Sequence, residues 1–227
     1  RVSNFIIITL MTTMVIIGCS SSKDTTKTSE KDSGKVTNDV IEEPEKINTG
    51  VVSKGEKEDP REKLLADASL AEKFSKGSFA TIYLSPKDYH RVHIPTDGLL
   101  AAGNYIPGRL FSVNKATTES VDDLFAINER YVMQFDTPQG AMAVIMVGAM
   151  IVAGIRPAWR DDVFPPRKFD KHKFEPPKPF SQGDELGSFL MGSTAIVLLE
   201  KRVDWCITTD QPVRLGDSLV ADQPPKQ

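Results

Sequence analysis

Runs of β-branched and aromatic residues constrain the fold of this 227-residue chain more than any other feature. Three of them read FATIYL, YVMQFDT and AMAVIMVGAMIVAGI, and the turn sequence TPQG separates the last two. This pattern predicts a β-hairpin from Tyr131 to Ile155. The longest run is too short for an ordinary membrane-spanning helix and contains Gly148 and Gly154, so we interpret it as a core strand. The predicted fold class is mainly β (α+β): a single compact β-rich domain with a few short helices.

Helical spacing of apolar residues occurs in two places. DPREKLLADASLAEKF has apolar residues at helical intervals and a proline suited to a first turn, which predicts one short amphipathic helix from Pro60 to Phe74. TTESVDDLFAINER shows similar spacing and predicts a second helix, with Thr117 or Thr118 as its cap. The proline-rich residues 164–180 instead predict an irregular surface segment.

Composition excludes several classes of function. The chain is 40% hydrophobic and 26% charged, which is ordinary for a soluble globular domain. A net charge of -3 provides no basic excess, so no nucleic-acid partner is expected. The two cysteines, Cys19 and Cys206, have no CxxC or histidine neighbour at metal-binding spacing, and no structural metal is expected.

The N-terminal part has a different composition from the rest. Residues 1–19 contain an apolar stretch that ends in IIGC, typical of a signal or anchor segment. This ending resembles the lipobox of bacterial lipoproteins, which implies lipidation at Cys19; an uncleaved anchor or a misjoined fragment would give the same pattern. Residues 20–57 are mostly polar and predict a disordered linker. The folded domain is then expected to occupy residues 58–227.

Two histidines lie close together in SPKDYHRVHIP. His90 and His93 would share one face of a helix or point to opposite sides of an extended segment, and Pro95 limits any helix. They fit a polar strand edge as well as a catalytic pair. No further ligands stand at the spacing of a zinc site, so a metal centre is not predicted.

A small polar step interrupts the apolar run GSFLMGSTAIVLL. Gly192, Ser193 and Thr194 stand at its centre, where hydroxyls and a flexible backbone weaken packing. The blocks YLSPKDYHRVHIP, YIPGRLFSVN, LFAINERYV, VGAMIVAGI and GDELGSFLMGSTAIVLL occur in the order and approximate spacing found in phosphatidylserine decarboxylases. The chain resembles this family from about Gly77 to Val220.

The resemblance implies a self-processing enzyme. Ser193 would attack the carbonyl of Gly192, and cleavage of the Gly192–Ser193 bond would give chains of residues 1–192 and 193–227. Ser193 would become a pyruvoyl group, the only cofactor implied, which forms a Schiff base with the substrate amine. The implied reaction converts phosphatidylserine to phosphatidylethanolamine and carbon dioxide. By the same resemblance, His93 is the base for self-cleavage and His90 acts in decarboxylation.

One part of the family pattern is missing. The family carries an orienting aspartate in a PADG box, and no such box occurs here. NDVIEEPEKI can be aligned with that region, which makes Asp39 the match, although Asp39 fits a linker residue equally well. If the self-cleaving triad of Ser193, His93 and an aspartate is incomplete, the chain would be an uncut, lipid-binding lipoprotein with the same fold. A decarboxylase of a related serine-headgroup lipid is a third reading.

The resemblance also implies partners and a location. These are a phospholipid substrate in the membrane, the protein's own cleaved chains and a second copy in a homodimer. Arg91, Arg109 and Arg130 are candidates for contact with a headgroup phosphate, and the leader and the 60–74 helix for contact with the bilayer. The family works at the cytoplasmic face of the inner membrane, whereas a lipobox implies export, and both locations stay open.

Overall fold

The computed structural model describes residues 59–150, 154–164, 168–190 and 192–221, and the backbone alone of residues 47–51. The predicted signal segment with Cys19 and most of the predicted linker, including Asp39, lie outside the described residues. The elements in chain order are β1 Ile47–Val51, α1 Pro60–Leu65, α2 Ala68–Lys73, β2 Ser78–Leu84, β3 Arg91–His93, β4 Gly98–Ile106, α3 Lys115–Ser120, α4 Leu124–Ile127, β5 Arg130–Thr137, β6 Gly140–Val147, β7 Ile155–Pro157, β8 Asp170–Phe180, β9 Glu185–Phe189 and β10 Ser193–Leu199.

The strands form a large sheet and a small one. The large sheet has the order β1-β2-β10-β6-β5-β4-β8, and the small sheet has the order β3-β9-β7. All of the paired neighbours are antiparallel. The fold class predicted from the sequence is confirmed: the structure is rich in strands and has a few short helices.

The two faces of the large sheet bury different partners. Alternate residues of its strands, among them Ile82, Met133 and Val144, join residues of the small sheet such as Val92 and Leu186 in one hydrophobic core. The residues between them point to the opposite face, because side chains alternate along a strand. That face packs against the two N-terminal helices. The order of layers is therefore helices, large sheet, small sheet.

The predicted hairpin is present, but it ends earlier than expected. β5 and β6 pair in register from Arg130 with Val147 to Thr137 with Gly140. Ile155, the predicted end of the hairpin, lies in β7 of the small sheet instead. The apolar run therefore serves two sheets, and its apolar composition alone could not show where the first strand stops.

The single helix predicted from Pro60 to Phe74 is wrong. The chain forms two helices, because Ala66 has left-handed backbone angles with φ 51° and ends α1. The Asp67 carboxylate then caps α2 by accepting a hydrogen bond from the Leu70 amide at 3.0 Å. The apolar residues of both helices still cover the large sheet.

Two segments predicted to be irregular form edge strands. Ile47–Val51, placed in the predicted linker, pairs with β2 as β1. Asp170–Phe180, part of the proline-rich segment, pairs with β4 as β8. Both strands lie at the ends of the sheet order. Proline is tolerated at such an edge because its missing N–H need not face a second neighbour, so the proline signal was misread.

Arg130, one of the three candidates for a phosphate contact, is instead a buried structural residue. Its side chain is 3% exposed and donates to four backbone carbonyls, those of Leu64, Lys63, Ala126 and Asn128. Burial lowers the pKa of the guanidinium to about 10. The contacts tie the end of α1 and the end of α4 to the start of β5.

The described residues contain no helix that is both long and apolar enough to cross a membrane.

Replacing Arg130 should destabilise the fold strongly. Arg130→Ala removes the donor from one buried and three partly buried carbonyl contacts. A buried acceptor left unsatisfied costs about 1–3 kcal/mol, and we expect the free energy of unfolding to fall by about 3 kcal/mol in total. The measurement is guanidinium chloride unfolding followed by tryptophan fluorescence. Arg202→Ala, at an exposed position, is the matched control and should change stability by no more than about 0.5 kcal/mol. An equal change in the free energy of unfolding in both variants would show that the contacts of Arg130 with the carbonyls add no stability.

Candidate active site

Ser193 begins β10, an internal strand of the large sheet. It pairs with Leu84 of β2, and the next residue, Thr194, pairs with both Tyr83 and Val147. Ser193 is 0% exposed. The small polar step in the apolar run is therefore the point where a loop enters a fully paired, buried strand.

The hydroxyl of Ser193 is held inside the protein. It donates a hydrogen bond to the backbone carbonyl of Val147 on β6. A buried hydroxyl without a partner would cost free energy, and this contact satisfies its donor. The hydroxyl thus lies beside the backbone of the neighbouring strand, shielded from water.

Gly192 packs too closely for any larger residue. A Cβ placed on it would lie 2.5 Å from the Leu84 carbonyl oxygen and 2.6 Å from the Pro86 nitrogen. Contacts this short are excluded by sterics, and these neighbours are backbone atoms that cannot swing aside. The segment Leu84–Pro86 therefore forms a cradle for the Gly192–Ser193 peptide.

His90 is attached to this cradle. Its Nε2 lies 3.1 Å from the Ser85 carbonyl oxygen, and since a carbonyl only accepts, Nε2–H must donate. In the neutral ring, Nδ1 then carries the free lone pair. The backbone carbonyl of His90 also accepts from the Phe189 amide at 2.9 Å. His90 is thus fixed near Phe189, the last residue of β9, and Phe189 precedes Ser193 by four residues.

His93 lies farther along the small sheet. It pairs with Glu185, about 13 Å along β9 from Phe189 at the usual rise per residue. Its Nδ1 donates to the Gly183 carbonyl at 2.7 Å, and its Nε2 lies 3.2 Å from the Tyr89 hydroxyl. These contacts select the tautomer with a proton on Nδ1, so Nε2 is the nitrogen that can accept a proton.

The structure brings some of the predicted site residues together and leaves others apart. Gly192, Ser193 and His90 meet around the Leu84–Pro86 cradle. In the described contacts, His93 bonds to Tyr89 and Gly183, whereas Ser193 bonds to Val147. Tyr89 and Gly183 were not anticipated from the sequence; the tyrosine's position one residue before His90 was the available signal.

The two remaining arginine candidates are exposed. Arg91 forms an ion pair with Glu185 at 2.5 Å, and the guanidinium of Arg109 lies 5.7 Å from the centre of the Phe111 ring. Neither contact joins these arginines to Ser193. Among the described residues, no cluster of three or more histidine, cysteine or acidic side chains is arranged to hold a metal ion.

A family model described as phosphatidylserine decarboxylase matches residues 31–221. The chain belongs to this family. Curated relatives named phosphatidylserine decarboxylase proenzyme include those of Saccharophagus degradans (50% identical over 165 residues), Acinetobacter baumannii strain SDF (52% over 145) and Ectopseudomonas mendocina (49% over 175). The matches cover 70%, 63% and 74% of this chain.

This phosphatidylserine decarboxylase homologue spans only part of those relatives. The aligned regions amount to 58%, 50% and 61% of their lengths. The family predicted from the five sequence blocks is confirmed. The roles of His90, His93 and Asp39 stay predictions.

Filling the space at Gly192 should destabilise the protein. Gly192→Ala forces the Leu84–Pro86 backbone to move, and overpacking of this kind costs about 2 kcal/mol. Gly216→Ala is the control, because its φ of +89° is unfavourable for alanine but its Cβ would meet nothing within 4 Å; this strain costs about 1 kcal/mol. In guanidinium chloride unfolding, Gly192→Ala should have a lower free energy of unfolding than Gly216→Ala. The reverse order would show that the cradle is easily displaced.

Proposed function

We propose that this protein cleaves itself at Gly192–Ser193 and then decarboxylates phosphatidylserine to phosphatidylethanolamine, using a pyruvoyl group made from Ser193. The observation that carries the proposal is the buried Ser193, preceded by a glycine locked in a backbone cradle, in a chain of this family. The relatives' name, phosphatidylserine decarboxylase proenzyme, supports both the reaction and the processing.

Self-cleavage requires atoms of the chain, a base and one water molecule. The Ser193 oxygen loses its proton and bonds to the Gly192 carbonyl carbon, and the bond from that carbon to the Ser193 nitrogen breaks. The nitrogen gains a proton, which leaves an ester between Gly192 and the Ser193 oxygen. Loss of the Ser193 Cα proton then expels the Gly192 carboxylate, and water replaces the nitrogen as ammonia. Glycine at position 192 removes the side chain that would hinder the attack.

The environment of Ser193 fits the group that would be formed there. The position is closed to solvent and bordered by backbone at Gly192, so a small planar N-terminal group formed there stays buried. When formed, the keto carbonyl binds the substrate amine and accepts the electrons released with carbon dioxide. His90 is the imidazole attached to the cradle, and it can hold or deliver a proton there.

The position of His93 supports a role as the base for self-cleavage only through its tautomer. Nδ1–H is held by the Gly183 carbonyl, and Nε2 keeps its lone pair for the Tyr89 hydroxyl. A backbone carbonyl here fixes the tautomer that an aspartate fixes in a catalytic triad. To act on Ser193, the ring must exchange Tyr89 for the serine hydroxyl.

The remaining parts of the proposal concern place and partners. The substrate is a membrane lipid, so we place the protein at a membrane, with Cys19 as its lipid anchor. A homodimer and retention of both cleaved chains belong to the same proposal. Export and the cytoplasmic face are the two alternatives for its location.

Ser193→Ala should abolish cleavage and decarboxylation together. Intact-mass measurement of the unmodified protein should find one chain ending at Gly192 and one beginning with a pyruvoyl-blocked residue 193, whereas the variant stays whole. Ser181→Ala, in an exposed turn, is the control and should be cut normally. Activity is measured as phosphatidylethanolamine formed in phosphatidylserine vesicles.

Three outcomes would contradict the proposal. A single uncut chain from the unmodified sequence would favour the non-catalytic lipoprotein. Decarboxylation of a soluble serine phosphodiester but not of the vesicles would favour a different serine substrate. Activity retained by Ser193→Ala would refute the origin of the cofactor.

Separate variants should divide the roles of the two histidines. His93→Ala is expected to remain uncut, because it lacks the base, while His90→Ala is expected to be cut but to decarboxylate about 100-fold more slowly, a typical effect of losing an acid–base group. Gel electrophoresis and the vesicle assay measure the two steps. His172→Ala, exposed on β8, is the control. If His90→Ala stays uncut and His93→Ala is cut, the two roles are exchanged. The attachment of His90 to the cradle would then explain why His90 is the base.

A further inference from the structure

Glu129 stands in line with Ser193 across the large sheet. Thr194 pairs with Val147, and Val147 pairs with Arg130. The next row across these antiparallel strands contains Ser193, Gly148 and Glu129. The Gly148 amide donates to the Glu129 carbonyl at 2.8 Å. Since side chains alternate along a strand, Glu129 and Ser193 share the face opposite to that of Arg130 and Thr194.

Gly148 lies between them, and the Glu129 side chain occupies the space that a side chain at position 148 would need. A Cβ on Gly148 would lie 2.5 Å from Cγ and 2.8 Å from Oε1 of Glu129. The Glu129 side chain therefore lies over the backbone of Gly148, with Oε1 toward it. Val147, whose carbonyl holds the Ser193 hydroxyl, is the residue directly before Gly148. Neighbouring strands are about 4.8 Å apart, so the carboxyl is next to the Ser193 position.

The carboxyl has a second, well-defined partner. Its Oε2 accepts a hydrogen bond from the Tyr105 hydroxyl at 2.8 Å, and no cation forms an ion pair with Glu129 among the described residues. The residue is 5% exposed. Burial raises the pKa of its carboxyl, while the hydrogen bonds from Tyr105 and the Gly154 amide oppose that rise.

We propose that Glu129 is the proton donor to the Ser193 nitrogen during self-cleavage. As the bond from the Gly192 carbonyl carbon to this nitrogen breaks, Oε1 releases its proton to the nitrogen and becomes a carboxylate. The base that took the proton of the Ser193 hydroxyl returns one to the carboxylate, so the shift to the ester consumes no net proton. Tyr105 positions the carboxyl through Oε2, and Oε1 lies on the side of Gly148.

The inference rests on the proposed self-cleavage. Glu129→Gln keeps the size of the side chain and an acceptor for Tyr105 but has no acidic proton. We expect cleavage to slow by about 100-fold, within the usual range for an acid–base group, with a melting temperature close to that of Ser193→Ala. Glu119→Gln, at an exposed helix position, is the matched control and should be cut at the unmodified rate.

The dependence of cleavage on pH separates a proton donor from a structural residue. The unmodified protein should give a bell-shaped profile, with the acid limb set by the histidine base and the alkaline limb by loss of the Glu129 proton. Burial and the contact with Glu129 raise the pKa of Tyr105, so this phenol stays protonated across the profile. The base is His93 in the proposed function, so His90→Ala should keep the acid limb; loss of that limb would make His90, on the cradle, the base. Glu129→Gln should lose the alkaline limb only.

Hydroxylamine, which cuts the ester between Gly192 and the Ser193 oxygen, identifies the step. Because the ester does not form without the proton donor, hydroxylamine should not restore cleavage of Glu129→Gln. A variant that accumulates this ester would place the carboxyl in the later elimination and overturn the proposal. Cleavage at the unmodified rate would overturn it too. If the unmodified chain is never cut, the proposed function fails first and the role of Glu129 fails with it.

Discussion

The position of β10 between β2 and β6 is the constraint on which the rest of the structure depends. Ser193–Leu199 pairs with β2 along its whole length, and Thr194–Leu199 pairs with β6. A central strand must satisfy both edges of its backbone, so its first residue is fixed closely by its neighbours. Ser193 is that first residue, and Gly192 is the last residue of the loop that precedes it. The peptide bond between them is held at the boundary between loop and sheet.

The polar residues Asn128, Glu129 and Arg130 secure the same end of the sheet in three directions. The Asn128 amide donates to the Phe111 and Gly148 carbonyls, each at 2.9 Å. Arg130 points to the helical layer and holds its carbonyls, whereas Glu129 points to the layer of the small sheet. Strand periodicity separates the two charged groups onto opposite faces, so one can be structural while the other has no ion pair within the part of the chain that the structure describes.

The sequence predicted the features that follow from local periodicity and missed those that depend on tertiary position. The hairpin of β5 and β6 was predictable because alternation and a turn sequence act over a few residues. The edge strand β8 was not, because its prolines are acceptable only where no second neighbour needs their N–H groups. The break at Ala66 was also missed, because both short helices keep the same apolar spacing. Gly192 was recognised as important, but its cradle involves Leu84–Pro86, more than a hundred residues away in sequence.

The place of the proposed cut explains how the fold would survive its own cleavage. Breaking the Gly192–Ser193 bond removes no pairing of β10, since every pair involves Ser193 or a later residue. The short chain would also keep the isolated bridge between Trp205 and Val220 and the buried side chain of Leu219 in the main core. A cut within β10 would instead divide a ladder and expose apolar residues. The boundary between loop and strand is therefore a position where a peptide bond can be lost while the new N-terminus stays buried.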